Sequence, residues 1–130
     1  MEYIDLGARD EPVLLFGGSY SNAHATRAML DWATARKIAD DHRIMTGDSV
    51  AYCAQPNETV DLIRTSGAAM VAGNCEKQLA TDAQDCGCGF EEGSLCDRLS
   101  AGWYSFANGQ LRADLRRWMT TLPDIITFTH

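Results

Sequence analysis

The chain has 130 residues, 45% of them hydrophobic, which is enough for one domain with a buried core and too few for two. Its formal net charge of -7 and pI near 4.7 argue against a binder of nucleic acid, because such proteins depend on cationic side chains to neutralise phosphates. Met1 through Pro12 has neither the basic flank nor the apolar core of a signal peptide, and no stretch approaches a membrane span, so the cytoplasm is the expected location.

Val13-Leu14-Leu15-Phe16, closed by Gly17-Gly18, has the pattern of a buried parallel strand feeding a tight turn. After the loop Ser19 to Asn22, in which Ser21 or Asn22 can cap a helix, apolar residues recur at Ala25, Ala28, Met29, Trp32, Ala35 and Ala39. That spacing of three and four predicts a helix from Ala23 to about Ile38 with this face against a sheet. His24 on this helix and His42 in the following polar link are expected to be surface or packing residues. A second strand is predicted from Arg43 to Thr46, followed by Gly47-Asp48. Pro56 then opens a helix carrying Val60, Leu62 and Ile63, which Ser66-Gly67 end. The third predicted strand, Ala68 to Ala72, is closed by Gly73-Asn74-Cys75-Glu76.

Right-handed βαβ units place the carboxyl ends of successive strands on the same side of a sheet, where ligand crevices lie. The junctions at Gly18, Asp48 and Asn74 are therefore expected along one edge. Asp48 and Asn74 are candidate ligand residues there, although Gly-Asp and Gly-Asn are also ordinary turn pairs.

Residues 81–93 form a polar, acidic, glycine-spaced segment around Cys86-Gly87-Cys88-Gly89 and are predicted to be a loop. Ser94 to Ala107 reads as a helix with Leu95, Leu99, Trp103 and Phe106 on one side, broken at Gly109. A further helix carries Leu111, Leu115, Trp118, Met119 and Leu122, with Arg112, Arg116 and Arg117 outward, and stops at Pro123. Ile125 to His130 reads as a strand with no local partner; it is expected to pair with the sheet, with a second chain, or with a part of the protein outside this sequence. The whole is an α/β domain over residues 1–130, a parallel βαβαβ sheet with flanking helices.

Five cysteines, an odd number without an export signal, favour free thiols, a metal or redox chemistry over a disulfide scaffold. Cys86, Cys88 and Cys96 are a candidate soft-metal or redox cluster, with Cys75 or Cys53 available as a fourth ligand. Plain structural cysteines are the alternative. At a helix start, Cys75 is either a lowered-pKa thiolate or a buried inert thiol.

Gly47-Asp48 after a strand, Asn57-Glu58 in the following helix and Gly73-Asn74-Cys75-Glu76 after the next strand resemble the calcineurin-like metallophosphoesterase family. The motifs of that family run Asp-x-His, Gly-Asp, Gly-Asn-His-Asp/Glu and later histidines. The flavour is that of small bacterial phosphodiesterases and dinucleoside-tetraphosphatase-like proteins, and the motifs cover about residues 13–80. The resemblance implies the first half of a layered sandwich with helices outside, and a dinuclear centre of Mn, Fe, Zn or Ni.

Carried over, it makes Asp48 the metal-bridging aspartate and Asn74 the asparagine that holds a metal and touches phosphate. Cys75 stands at the histidine that assists the leaving group, Gly18 at the first metal-binding aspartate, and Tyr20 at the first metal-binding histidine. Tyr20 would instead donate a hydrogen bond to phosphate. The family's later histidines would lie beyond residue 130. The implied function is hydrolysis of phosphoric esters at an eroded metal site. The alternative is a non-catalytic domain that binds a phosphorylated small molecule or another chain, and a half-sandwich with bare apolar surface is expected to form a homodimer.

Overall fold

A computed structural model describes residues 1–130. Its central sheet has three parallel strands in the order β2 (Leu14–Phe16), β3 (Arg43–Met45) and β4 (Ala69–Met70). The helix α1 (Ala23–Ala35) joins the first pair, and α2 (Pro56–Thr65) joins the second. Leu15 pairs with Ile44, and Ile44 with Ala69, so the sequence neighbours are also spatial neighbours. This is the mixed α/β fold with parallel strands and flanking helices read from the sequence.

The third strand is shorter than predicted. Only Ala69 and Met70 hold the ladder; beyond them, Val71 N–H still donates to Met45 O, but Ala72 N–H turns to Pro123 O at 2.8 Å.

The sequence reading missed β1 (Tyr3–Ala8), which pairs in parallel with β5 (Ile125–Thr129) in register Tyr3 to Ile125 and Ile4 to Ile126. Asp5 and Gly7 interrupt any alternation in this segment, and its partner lies at the opposite end of the chain, where no local pattern signals it. The partner left open for the final strand is thus the first strand. Asp124 anchors the junction, accepting Glu2 N–H at 2.8 Å and pairing with Lys77 at 2.6 Å.

The remaining helices, α3 (Asn74–Ala80), α4 (Leu95–Gln110) and α5 (Ala113–Met119), pack with α2 around the main core of Val50, Val60, Leu79, Tyr104, Leu111, Leu115 and Met119. Leu79, Leu115 and Val60 are fully buried, and each contributes on the order of 1.5–3 kcal/mol of hydrophobic stabilisation. A smaller cluster of Met45, Ile63 and Met70 lies against the sheet.

Two helix faces differ from the sequence expectation. In α1 the buried residues are Ala23, Thr26, Leu30 and Ala33, while Met29 and Trp32 face solvent, the latter beneath the Arg36 guanidinium at 4.0 Å. In α4 the buried residues are Ser100, Tyr104 and Ala107, while Leu95, Leu99 and Phe106 are exposed. Periodicity finds a stripe but does not say which stripe meets the core, and apart from Leu30 the buried places went to small or hydroxylated residues. Gly109 does not break α4, which runs to Gln110 before Leu111 turns to extended backbone.

An ion network joins α2 to the start of α5. Arg112 donates to Asp61 at 2.7 and 2.9 Å and to Asp114 at 3.0 Å, and Arg64 lies 3.3 Å from Asp114. The hydrogen bonds from Arg112 hold Asp114 down to about 2 and lower Asp61 as well. Folded values below the unfolded ones mean that this stabilisation is complete above the ordinary carboxylate value of 3.8 and is lost as pH falls toward about 2. The exposed setting keeps the effect modest. Arg112→Leu is expected to flatten the acid limb of the melting-temperature profile across that window, measured by thermal denaturation. An unchanged limb would contradict a stabilising role for the network.

Candidate functional site

The three strand-end loops meet at one edge of the central sheet, and one side chain ties two of them together. Glu76, fully buried in the first turn of α3, accepts hydrogen bonds from Asp48 N–H at 2.8 Å, Ser49 N–H at 2.8 Å, Ser49 Oγ at 2.7 Å and its own helix's Gly73 N–H at 2.9 Å. The reach back to Gly73 is the carboxylate half of a capping box, placed three residues after the cap. The other contacts cross to the loop after β3. Charge-assisted bonds of this kind are stronger than neutral ones, and here they satisfy a carboxylate that has no water to turn to.

The first loop is joined to the second through Ser21. This residue is fully buried at a positive φ of 57°; its N–H donates to Ser49 O at 2.8 Å and its Oγ accepts from Ala51 N–H at 3.2 Å. Asn22, not Ser21, caps α1, accepting Ala25 N–H at 3.0 Å. Tyr20 N–H donates to Asp48 O at 3.2 Å.

Asp48 sits at a φ of 56° between Gly47 and Ser49, half-buried, with Cys75 N–H 3.4 Å from its Oδ1. Asn74, the first residue of α3, is exposed, and its amide nitrogen donates to Cys86 O at 2.9 Å and lies 3.5 Å from Cys88 Sγ. Its amide nitrogen is thus engaged by the 81–93 segment. Cys75 is buried; burial, then the Asp48 and Glu76 carboxylates, push its thiol well above the ordinary range. That shift goes with the buried-thiol reading and against a free thiolate at this helix start.

Tyr20 stacks beside Gly18: a Cβ at residue 18 would stand 2.6 Å from the Tyr20 ring. The phenol therefore fills the space that a side chain at position 18 would need. From Tyr20 an aromatic run continues to Tyr52 at 5.1 Å between ring centroids and on to Trp103 of α4 at 5.4 Å. Burial, followed by Tyr20, Cys75 and Asp48, raises the Tyr52 phenol, which stays neutral. A depression of about 200 Å³ adjoins the first loop, between Gly18, Tyr20, Asn22 and Met29. A cleft of about 340 Å³ lies elsewhere, between Cys86, Phe90 and the Ser100–Tyr104 side of α4.

Of the readings open for the cysteines, the structure has the thiol pair in its bonded form. Cys86 and Cys88 are bonded to each other, and Cys96 stands apart as an exposed free thiol, as does Cys53. A disulfide leaves neither sulfur as a thiolate ligand, so three thiols do not converge on an ion. Nowhere in the chain do three His, Cys, Asp or Glu side chains come together so as to hold a metal ion.

With this geometry in hand, comparison with solved structures finds a metallophosphoesterase from Sphaerobacter thermophilus, superposing with a TM-score of 0.55 at 22% identity.

The fold is metallophosphoesterase-like.

The match covers 85% of this chain and 41% of that one, so this chain spans less than half the length of its metallophosphoesterase-like neighbour. No family model matches the sequence, and no curated protein does either. The likeness is one of fold, and the dinuclear metal chemistry implied by the family motifs has to be weighed against the residues present. They do not fit it. A dinuclear centre needs several anionic or imidazole ligands per ion. The loop edge offers the Asp48 carboxylate, the Glu76 carboxylate already taken up by hydrogen bonds, the exposed Asn74 amide, the buried Cys75 thiol and the Tyr20 ring over Gly18, with no histidine among Gly17–Asn22, Gly47–Gln55 or Gly73–Glu76.

Sequence reasoning named Asp48, Asn74, Cys75 and Tyr20, which the fold brings to the same edge, and passed over Glu76, Ser21 and Tyr52. Glu76 had a legible signal in its place three residues after Gly73. Ser21 and Tyr52 had none, because each acts through a contact with a loop distant in sequence.

Proposed function

We propose that this chain is a non-catalytic, metallophosphoesterase-like interaction domain, one that keeps the loop scaffold of a phosphoester hydrolase without its donor set. The observation that carries this reading is the Tyr20 ring over Gly18, which replaces a metal-binding pair with a glycine and an aromatic surface. A phosphorylated small molecule at this edge would meet the Asp48 carboxylate with no lysine or arginine among Gly17–Asn22, Gly47–Gln55 or Gly73–Glu76 to offset it, on a chain of net charge -7. The exposed rings of Tyr20 and Tyr52 supply apolar contact instead, which suits another polypeptide better than a phosphate.

The hydrolase reading keeps one observation in its favour, the half-buried Asp48 carboxylate at the carboxyl end of β3. The two separate in an assay of bis(p-nitrophenyl) phosphate with Mn, Fe, Zn or Ni added singly. The interaction-domain reading predicts no turnover above the metal-only blank. Saturable turnover that disappears in Asp48→Ala would overturn it.

A further inference from the structure

We infer that Cys86 and Cys88 form a reversible thiol–disulfide exchange site, opening on a cleft that takes a small thiol carrying an ammonium group in preference to one carrying a second anion. The bridge spans a single residue, Gly87, so it ties no distant elements together and constrains the unfolded chain little. Its two sulfurs are placed unequally. Cys86 is buried in the main core, whereas Cys88 packs at the edge of that core and is partly exposed, so an incoming thiolate meets Cys88 first. Both cysteines line the cleft of about 340 Å³ beside α4, which is large enough for a small molecule. Asn74 Nδ2 lies 3.5 Å from Cys88 Sγ while donating to Cys86 O at 2.9 Å. An N–H donor beside the outer sulfur favours its thiolate and holds the pair against the start of α3.

The exchange runs in two steps. A thiolate in the cleft bonds to Cys88 Sγ as the Cys86–Cys88 bond breaks, and Cys86 leaves with the electron pair and takes up a proton. A second thiolate then bonds to the sulfur of the first, which departs as a small disulfide while Cys88 keeps the electron pair. Two small thiols are thereby oxidised to one disulfide, and the protein disulfide is reduced to two thiols. In reverse, Cys88 attacks the small disulfide and buried Cys86 displaces the remaining small thiol. The charge of the cleft selects among thiols. Asp85 and Asp97 line it with no lysine, arginine or histidine, and residues 81–93 carry Asp82, Asp85, Glu91 and Glu92 without one basic residue. Such a wall draws in an ammonium group and repels a sulfonate or carboxylate.

The test uses the full chain carrying Cys53→Ser and Cys96→Ser, which removes the two exposed free thiols and leaves the bonded pair. Reduction is followed by acid quenching, alkylation in denaturant and intact mass, with circular dichroism reporting the fold. Cysteamine is expected to reduce the pair in the folded chain, adding two alkyl groups relative to the untreated protein, and cystamine is expected to restore it. At equal thiolate concentration, with each rate divided by that thiol's rate on an uncharged model disulfide, cysteamine is expected to react about tenfold faster than 2-mercaptoethanesulfonate. Asp85→Asn with Asp97→Asn keeps an oxygen for the Gly87 and Gly93 N–H groups that the carboxylates accept, and is expected to bring the ratio toward one. Cys86→Ala lacks the displacing sulfur and is expected to hold one cysteamine from cystamine as a mixed disulfide on Cys88. A pair that yields to thiols only after urea has unfolded the chain, equal rates for the two thiols, or no mixed disulfide on Cys88 would overturn the inference. None of these results bears on the phosphoesterase assay, which decides the non-catalytic reading separately.

Discussion

Replacing Glu76 by alanine is expected to abolish most of the domain's stability, by about 4 kcal/mol or more, the largest effect of any single substitution at the loop edge. The carboxylate, itself fully buried, accepts three backbone N–H groups and one hydroxyl, those of Ser49 buried and those of Asp48 and Gly73 partly so. Each donor left without a partner costs on the order of 1–3 kcal/mol, against a total stability for small domains of about 5–15 kcal/mol. Glu76→Gln keeps the shape and one carbonyl acceptor but points an NH₂ group at backbone donors, so a loss of about 2–3 kcal/mol is expected. Urea denaturation gives both values, and hydrogen exchange at the amides of Asp48, Ser49 and Gly73 localises them. If Glu76→Ala unfolds within about 1 kcal/mol of the parent, the carboxylate does not hold the loops together.

The second large effect is expected at Gly47, where the backbone of one loop touches the backbone of another. Gly47 has a φ of 95°, and a Cβ there would stand 2.6 Å from Gly73 N and 2.9 Å from Gly73 Cα. Neither atom can swing aside, because Gly73 N–H is fixed to Glu76 and Val71 is already tied to Met45. Gly47→Ala is therefore expected to cost about 3–4 kcal/mol, combining the left-handed backbone penalty with a displaced loop. Gly18→Ala provides the comparison. Its φ is 67°, but the atoms nearest its added methyl all belong to the ring of Tyr20, a partly exposed side chain that can rotate away. About 1–2 kcal/mol is expected there, and Tyr20→Ala in the same chain should recover part of it. Equal losses at the two glycines would contradict the distinction between a backbone contact and a mobile ring.

The residues that local chemistry governs could be read from the sequence. Glycines after short apolar runs located β2, β3 and β4, and Pro56 and Gly67 bounded α2, because turns and helix ends are set by the conformational limits of the residues that form them. What depends on distant partners could not be read this way. The strand β1 exists because β5 pairs with it, and the buried faces of α1 and α4 were decided by close packing of Ala33, Ser100 and Ala107 rather than by the greasiest stripe. At the candidate site, the family motifs brought Asp48, Asn74 and Cys75 to notice. Their chemistry depends on contacts that no motif states: Cys86 O accepting from the Asn74 amide, the Asp48 and Glu76 carboxylates helping to raise the Cys75 thiol, and the Tyr20 ring over Gly18. Spacing alone likewise could not say that Cys86 and Cys88 bond to each other while Cys96 stands apart.

The central claim is that this metallophosphoesterase-like scaffold lacks the donor set for a metal centre, and elemental analysis tests it most directly. The protein is loaded with Mn, Fe, Zn or Ni in the absence of chelator, desalted, and its bound metal counted per chain, alongside Asp48→Ala. The account predicts metal far below one ion per chain and the same value for both proteins. One or two ions per chain, lost on replacing Asp48, would contradict it.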